Sequence, residues 1–192
     1  MTRNTSNITL AILAGGEGSR MGKPKGELMA KGKPILEYLL ERFDWPGPTM
    51  LVTAPGREHP PGWNTFSREV VDPVSGHGPV RGILTALEEA KTKVVVVATV
   101  DMPFIDRTHL EWITHELGGG LGVMSSHDDQ IEPFPSAYST NAVEVIREHL
   151  AKNGGVYQLS KLNGFKRASA PATWSPKMWT NLNNPSDLNE FQ

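Results

Sequence analysis

The chain contains no cysteine. That absence excludes a disulfide scaffold, a thiolate zinc site, an iron–sulfur cluster and a cysteine nucleophile, and it fits a reducing cytosol. A strong charge of either sign is also missing: 19 Lys and Arg stand against 21 Asp and Glu, a formal net charge of −2. So weak a field argues against a dedicated nucleic-acid or anionic-membrane binder, since both need a basic surface. Long apolar runs are absent too. The longest, Val94 to Ala98, falls far short of the roughly 20 residues a bilayer requires. Ile8 to Ala14 runs into glycines without a small-residue exit, so no signal peptide is read there and the expected location is the cytoplasm. What remains, 192 residues with 38% hydrophobic and 21% charged side chains, describes a single globular domain spanning residues 1–192 that can bury a core unaided. Residues 1–7 are expected to form a flexible N-terminus.

Apolar periodicity alternates between strand and helix. Ile8 to Leu13 reads as a buried parallel strand feeding Gly15 and Gly16. Helical spacing follows from Pro34 to Phe43, then strands at Met50–Thr53 and Val70–Val71, and a helix from Val80 to Ala90. Lys93 to Thr99 is β-branched without polar alternation, as expected of a strand buried on both faces. In the second half, helices are predicted at 108–117 (capped by Asp106 or Thr108), 141–150, 156–162 and 186–191, and strands at 121–124, 134–138 and 165–168. The alternation predicts an α/β domain of three layers with a mostly parallel sheet. In such sheets ligands sit beyond the carboxyl ends of the strands.

The loop after the first strand places four glycines between Gly15 and Gly22. Glycines let the backbone turn sharply and bring N–H groups close to an anion. From Gly15 to Lys33 the cations Arg20, Lys23, Lys25, Lys31 and Lys33 face only Glu17 and Glu27, a local balance of +3. A cationic glycine loop at this place is a polyphosphate site on physical grounds; the bland reading is a structural turn with exposed lysines. Two familiar phosphate loops do not fit. The Walker spacing puts Glu17 where glycine is needed and Pro24 after Lys23, and the dinucleotide spacing puts Met21 where its last glycine belongs.

Beyond the loop, Asp101 follows the most buried strand, in Val100-Asp101-Met102-Pro103. One hard carboxylate, completed by phosphate oxygens and water, is how Mg²⁺ is commonly held. The same residue also suits a turn before Pro103. Asp72 ends the third strand before Gly78-Pro79-Val80-Arg81-Gly82, and Asn183 lies in Asn181-Leu182-Asn183-Asn184-Pro185. Either residue could equally be a turn or cap residue. The six histidines, His59, His77, His109, His115, His127 and His149, show no metal-ligand spacing. His77 lies in a glycine turn beside the candidate site. Trp112 is expected in the core, while Trp63, Trp174 and Trp179 lie near Pro or Gly and suit either a pocket or packing.

Leu13-Ala14-Gly15-Gly16, Arg20-Met21-Gly22 and Lys25 resemble the signature loop of the nucleotidyltransferase family typified by the molybdenum cofactor guanylyltransferases. Asp72 with its Gly-Pro turn, Asp101-Met102-Pro103-Phe104 and the Asn181–Leu188 segment follow in the family's order, so the likeness spans about residues 8 to 190. The resemblance implies a Rossmann-like nucleotidyltransferase domain of three α/β/α layers. It implies nucleotide contacts at Leu13, Ala14, Gly15, Gly16, Lys25, Thr53, Asp72 and Asp101, and charge neutralisation by Lys25 and Arg20. It makes Asp101 the Mg²⁺ ligand and sets Asn183 near the metal and phosphate. The Gly-Pro turn and Leu-Ala-Gly-Gly favour guanine within it. The implied reaction transfers GMP from GTP to the phosphate of molybdopterin, bound to molybdenum or already on a carrier protein or molybdoenzyme, and releases pyrophosphate.

The chain departs from the pattern at Thr53, where the family has Asn, at Glu27, at Asn184 and at Glu132, to which no role is assigned. Gly154-Gly155-Val156 lacks an Arg associated with the pterin substrate; Lys161, Lys166, Arg167 or Lys177 could serve instead. Two other readings stand beside this one: a relative that uses CTP or a sugar or polyol phosphate, and a non-catalytic nucleotide-binding protein.

Overall fold

The computed structural model describes residues 5–16, 22–74, 76, 78–184 and 186–187. Strand β1 (Thr9–Leu13) is buried at every position. It lies between β4 (Thr49–Thr53) and β6 (Val94–Thr99), parallel to both, with Ile12 opposite Leu51 on one side and Ala98 on the other. Strand β5 (Arg68–Val71) extends the parallel set beyond β4. The run of β-branched residues in β6 is buried from Val95 to Ala98, as its lack of polar alternation predicted. Each fully buried Leu, Ile or Val here contributes about 1.5–3 kcal/mol.

Seven strands form the sheet in the order β5-β4-β1-β6-β8-β7-β9, where β7 is Gly122–His127, β8 Gln130–Ser139 and β9 Phe165–Ser169. β9 runs parallel to β7, but β8 is antiparallel to both β6 and β7. Helices cover the sheet in layers: α1 (Ile35–Phe43) packs beside α3 (Arg107–Leu117), and α2 (Gly78–Glu89) beside α4 (Val143–Ala151). Asp106 caps α3, accepting the Thr108 N–H at 3.0 Å. No helix among the described residues is long and apolar enough to cross a membrane.

Several elements differ from the sequence expectation. β7 and β8 run through the polar stretch 125–133, joined by Asp128 and Asp129, both at positive φ. Two such residues make the tight turn whose twist matches a hairpin. Their pairing shifts register between Met124 and Ser125; there the Ser125 hydroxyl donates to the Pro135 carbonyl at 2.8 Å. A small hairpin of β2 (Met29–Ala30) and β3 (Lys33–Pro34) turns at Lys31-Gly32; strands of two residues carry no periodicity to read. Val156–Lys161 is 3₁₀ rather than α-helical. Thr5–Asn7, expected to be flexible, form a 3₁₀ turn, with the Thr5 carbonyl accepting from Ile8 N–H at 3.2 Å. Most of the helix expected at 186–191 lies outside the described residues, as do Arg20 and His77.

Candidate active site

Because β1, β4, β5 and β6 are parallel, their carboxyl ends share one edge of the sheet. Gly15 and Gly16 follow β1, Ala54 and Arg57 follow β4, Asp72 follows β5, and Val100 and Asp101 follow β6. Together they line a cleft of about 650 Å³, within the range of small-molecule sites. The strand order reverses between β4 and β6 around β1, the place where open parallel sheets leave a crevice.

Lys25 opens a 3₁₀ turn, Lys25–Glu27, that tucks against the end of β1. Gly26 makes this possible: a side chain there would bring its Cβ 3.2 Å from Pro60 Cβ and 3.8 Å from Ala14 Cβ. The Lys25 ammonium donates to Asp101 Oδ2 at 2.5 Å and to Asn183 Oδ1 at 3.0 Å. Three residues far apart in sequence thus converge on one point. Asp101 is held by its backbone, since its carbonyl accepts the Leu182 N–H at 2.8 Å. From α1, Arg42 donates to the Ile105 and Phe104 carbonyls at 2.7 and 2.8 Å and fixes the loop after β6. Asn183 is oriented by Asp187, whose Oδ2 accepts both the Asn183 and Asn184 N–H at 2.8 Å. Those two N–H groups hold the Asp187 carboxyl below its ordinary range. Neither Arg42 nor Asp187 was assigned a role from sequence. Each acts through backbone contacts that leave no trace in residue type.

Asp72 sits deeper in the cleft wall. Its N–H donates to the Thr53 carbonyl at 2.8 Å, and its Oδ1 is buried without a partner among the described residues. Burial pushes its pKa up, and the Thr85 hydroxyl and Arg81 charge pull it down only in part. The folded chain therefore favours the protonated carboxyl more than the unfolded chain does. Stability from this group is full below the ordinary carboxylate range and declines as pH rises through the raised folded value. Asp72→Asn is expected to raise the melting temperature at about pH 7.5 by on the order of 1–2 °C, a figure reduced for partial exposure. The gain should vanish toward about pH 4. A lower melting temperature at the higher pH would mean that the Thr85 and Arg81 contacts outweigh burial.

Of the residues singled out by sequence, Leu13, Gly15, Gly16, Lys25, Asp72, Asp101 and Asn183 line the cleft. Ala14 is buried with its N–H donated to Val52. Thr53 does not line the cleft either. Strand alternation turns its hydroxyl away from the Val52 side, and it donates to Glu69 Oε1 at 3.0 Å. Arg57 and Arg81 line the cleft unannounced by sequence. Arg57 Nη1 donates to the Gly16 carbonyl at 3.1 Å; its place in the loop after β4 was the available signal. Trp174 packs edge-on against Trp112, Trp63 stacks on His59, and Trp179 lies beside His127. None of these tryptophans lines the cleft.

No three His, Cys, Asp or Glu side chains converge as a metal cage among the described residues. The oxygens of Asp101 and Asn183 nevertheless converge on one cation, the Lys25 ammonium. This hard-oxygen pair fits Mg²⁺, which takes few protein ligands and completes its shell with phosphate and water.

The chain is 28% identical over 191 residues to a probable molybdenum cofactor guanylyltransferase of Thermococcus sibiricus, covering 94% of this chain and 95% of the relative. It is 27% identical to the molybdenum cofactor guanylyltransferase of Histophilus somni, covering 97% of each. Among solved structures, molybdopterin-guanine dinucleotide biosynthesis protein A from Archaeoglobus fulgidus superimposes with a TM-score of 0.78 at 25% identity, over 95% of each chain. The model of the MobA-like NTP transferase domain matches residues 10–168, a span that runs from the strand before the glycine turn through the last strand of the sheet. With that match over most of its length and a nucleotide-sized cleft at the switch point of the sheet, the chain belongs to the MobA-like NTP transferase family.

Proposed function

We propose that this enzyme transfers GMP from GTP to the terminal phosphate of a molybdopterin-type acceptor, giving a guanine dinucleotide and pyrophosphate. The observation that carries the reading is the convergence of Lys25, Asp101 and Asn183 at the glycine turn, in a chain whose relatives are named for that activity. The acceptor phosphate is itself the nucleophile. Its second ionisation lies near pH 6, so an oxygen is already anionic at neutral pH and needs no base. That oxygen bonds to the α-phosphorus as the bond to the bridging oxygen breaks, and pyrophosphate leaves with the electron pair. Lys25 offsets charge growing on the α-phosphate and leaving group, and the glycine-turn N–H groups orient the phosphates. Arg20 is expected to add a second cation. When bound, Mg²⁺ supplies Lewis-acid stabilisation of the phosphate oxygens, held by Asp101 and Asn183.

A second hollow, of about 560 Å³, adjoins the Asn183 loop and is lined by Phe104, Lys177 and Asp187 among others. Lys177 Nζ lies 4.6 Å from the Phe104 ring centroid. It suits an acidic acceptor with a flat ring system. Of the cations named as alternatives from sequence, only Lys177 lines this hollow; Lys161, Lys166 and Arg167 line neither.

Thermal stabilisation by GTP, CTP, ATP and NAD, each with and without Mg²⁺, tests the nucleotide assignment. A ligand confined to the folded state adds about 2.7 kcal/mol at 100 times its dissociation constant. The expected result is a shift largest for GTP and larger with Mg²⁺, followed by pyrophosphate release when molybdopterin is added. A CTP-selective shift, or GTP binding without pyrophosphate release, would overturn the reading.

A further inference from the structure

The loop between β4 and β5 forms an arm beside the glycine turn. At its root, Ala54 N lies 3.6 Å from where a Cβ on Gly15 would stand. Gly56, at φ 72°, then turns the chain, and Arg57 follows. The far end is anchored twice. Pro60 is buried and packs on Gly26, the neighbour of Lys25. His59 Nδ1 donates to Glu69 Oε2 at 2.5 Å, and its ring stacks on Trp63 with 4.3 Å between centroids. Glu69 is only 8% exposed, and its other oxygen takes the Thr53 hydroxyl at 3.0 Å. Thr53, turned out of the cleft, thus serves the arm instead. With both ends fixed, the arm delivers one long charged side chain to the cleft, Arg57.

Charge pairing singles this residue out. Lys25 is spent on Asp101, and Arg81 on Glu88. Of the cations that line the cleft, Arg57 alone has no carboxylate partner among the described residues. Its Nη1 donates to the Gly16 carbonyl at 3.1 Å, which sets the guanidinium against the glycine turn. Its Nε–Nη2 edge has no partner among the described residues. The two N–H groups of that edge match two oxygens of a phosphate. A nucleotide triphosphate brings several negative charges to this turn, and the Lys25–Asp101 pair nearly cancels itself. Arg57 is the cation left to meet them.

We infer that Arg57 binds the phosphates of the nucleotide, with Nη1 kept on the Gly16 carbonyl and the Nε–Nη2 edge on phosphate oxygens. This inference rests on the nucleotide-transfer reading above and adds a contact from the β4 side of the turn. An arginine keeps its charge at every working pH. The contact is therefore electrostatic, and because Arg57 is exposed it weakens with salt.

The test is calorimetric binding of guanosine, GTP, cytidine and CTP, each with Mg²⁺, to the wild type, Arg57→Met and Arg57→Lys at about 0.05 and 0.5 M salt. Methionine keeps the stem and removes every donor; lysine keeps the charge and loses the fork. Arg57→Met is expected to bind GTP about 10-fold more weakly at the lower salt, the low end for a charge-assisted bond because the residue is exposed. Guanosine affinity should not change, and the loss for GTP should shrink at the higher salt. Arg57→Lys should fall between the two, and it carries the test if the methionine variant fails to fold. Equal loss for guanosine and GTP would make Arg57 a mere strut of the turn and overturn the inference. So would an unchanged GTP affinity or a loss independent of salt, and all three results leave the guanylyl reading in place. A wild type that prefers CTP would overturn the guanylyl reading, and the step from cytidine to CTP then judges Arg57 by the same measure. A wild type that binds none of the four would overturn both.

Discussion

Asp101→Ala should lower turnover by about 10³-fold or more, since removing one preorganised electrostatic contact already costs about 10²–10³-fold. Asp101 carries two tasks in the proposed reaction, pairing with Lys25 and offering the carboxylate of the metal site. Its position beyond β6 is set by backbone, through the 2.8 Å bond from Leu182 N–H to its carbonyl and the Arg42 clamp on Phe104 and Ile105. Those contacts survive the substitution, so the loop should stay in place while the chemistry fails. Pyrophosphate release at saturating GTP and acceptor measures the rate. The GTP-induced thermal shift should also stop depending on Mg²⁺. Near-normal turnover would remove Asp101 from the reacting centre, and a Mg²⁺ dependence that persisted would place the metal elsewhere.

The second large effect is expected at Lys25. Lys25→Met keeps the stem and deletes the charge, and turnover is expected to fall about 10²–10³-fold. The Michaelis constant for GTP should change much less, because the charge offset by Lys25 grows chiefly as the leaving bond breaks. The side chain is 16% exposed and Asp101 is 19% exposed. Loss of the ammonium therefore strands a mostly covered carboxylate beside Asn183. Asp101→Ala strands the ammonium instead, but that group keeps the Asn183 Oδ1 acceptor at 3.0 Å, so apo Lys25→Met is expected to melt lower than apo Asp101→Ala. A Lys25→Met enzyme with a normal rate and a raised Michaelis constant would reduce Lys25 to a ground-state contact.

Much of this molecule is legible without a structure. The unbroken apolar runs of β1 and β6 announce central parallel strands, because only a strand covered on both faces tolerates no polar alternation. The glycines after β1 and the acids after β5 and β6 mark one edge of the sheet for the same reason: parallel strands bring their carboxyl ends together. Composition excluded thiol chemistry outright. The resemblance of the loop and acidic segments to one family placed Lys25, Asp101 and Asn183 in a common list, and the fold sets their side chains within hydrogen-bond distance.

Other features depended on three-dimensional placement. The length of the β7–β8 hairpin was hidden because residues 125–133 are mostly polar and end in Pro133; its pairing comes from a turn at Asp128-Asp129 and from the register of the two strands. Thr53 illustrates the opposite case. Its position in the strand was foreseen, but a strand shows alternate residues to opposite faces, and one step of that alternation ties its hydroxyl to Glu69 instead of the cleft. Arg81 and Asp187 look like ordinary surface charges in the sequence. Arg81 acquires its direction from Thr85 and Glu88, and Asp187 gains its task from two backbone N–H groups. By itself the sequence determined the central strands and the main helices, the carboxyl-end location of the site and the residue types that could act there, because periodicity and turn chemistry are local. Which side chains face one another across the cleft was decided only by the packed sheet and helices, because contacts between residues as far apart as Lys25 and Asn183 arise only when the chain closes on itself.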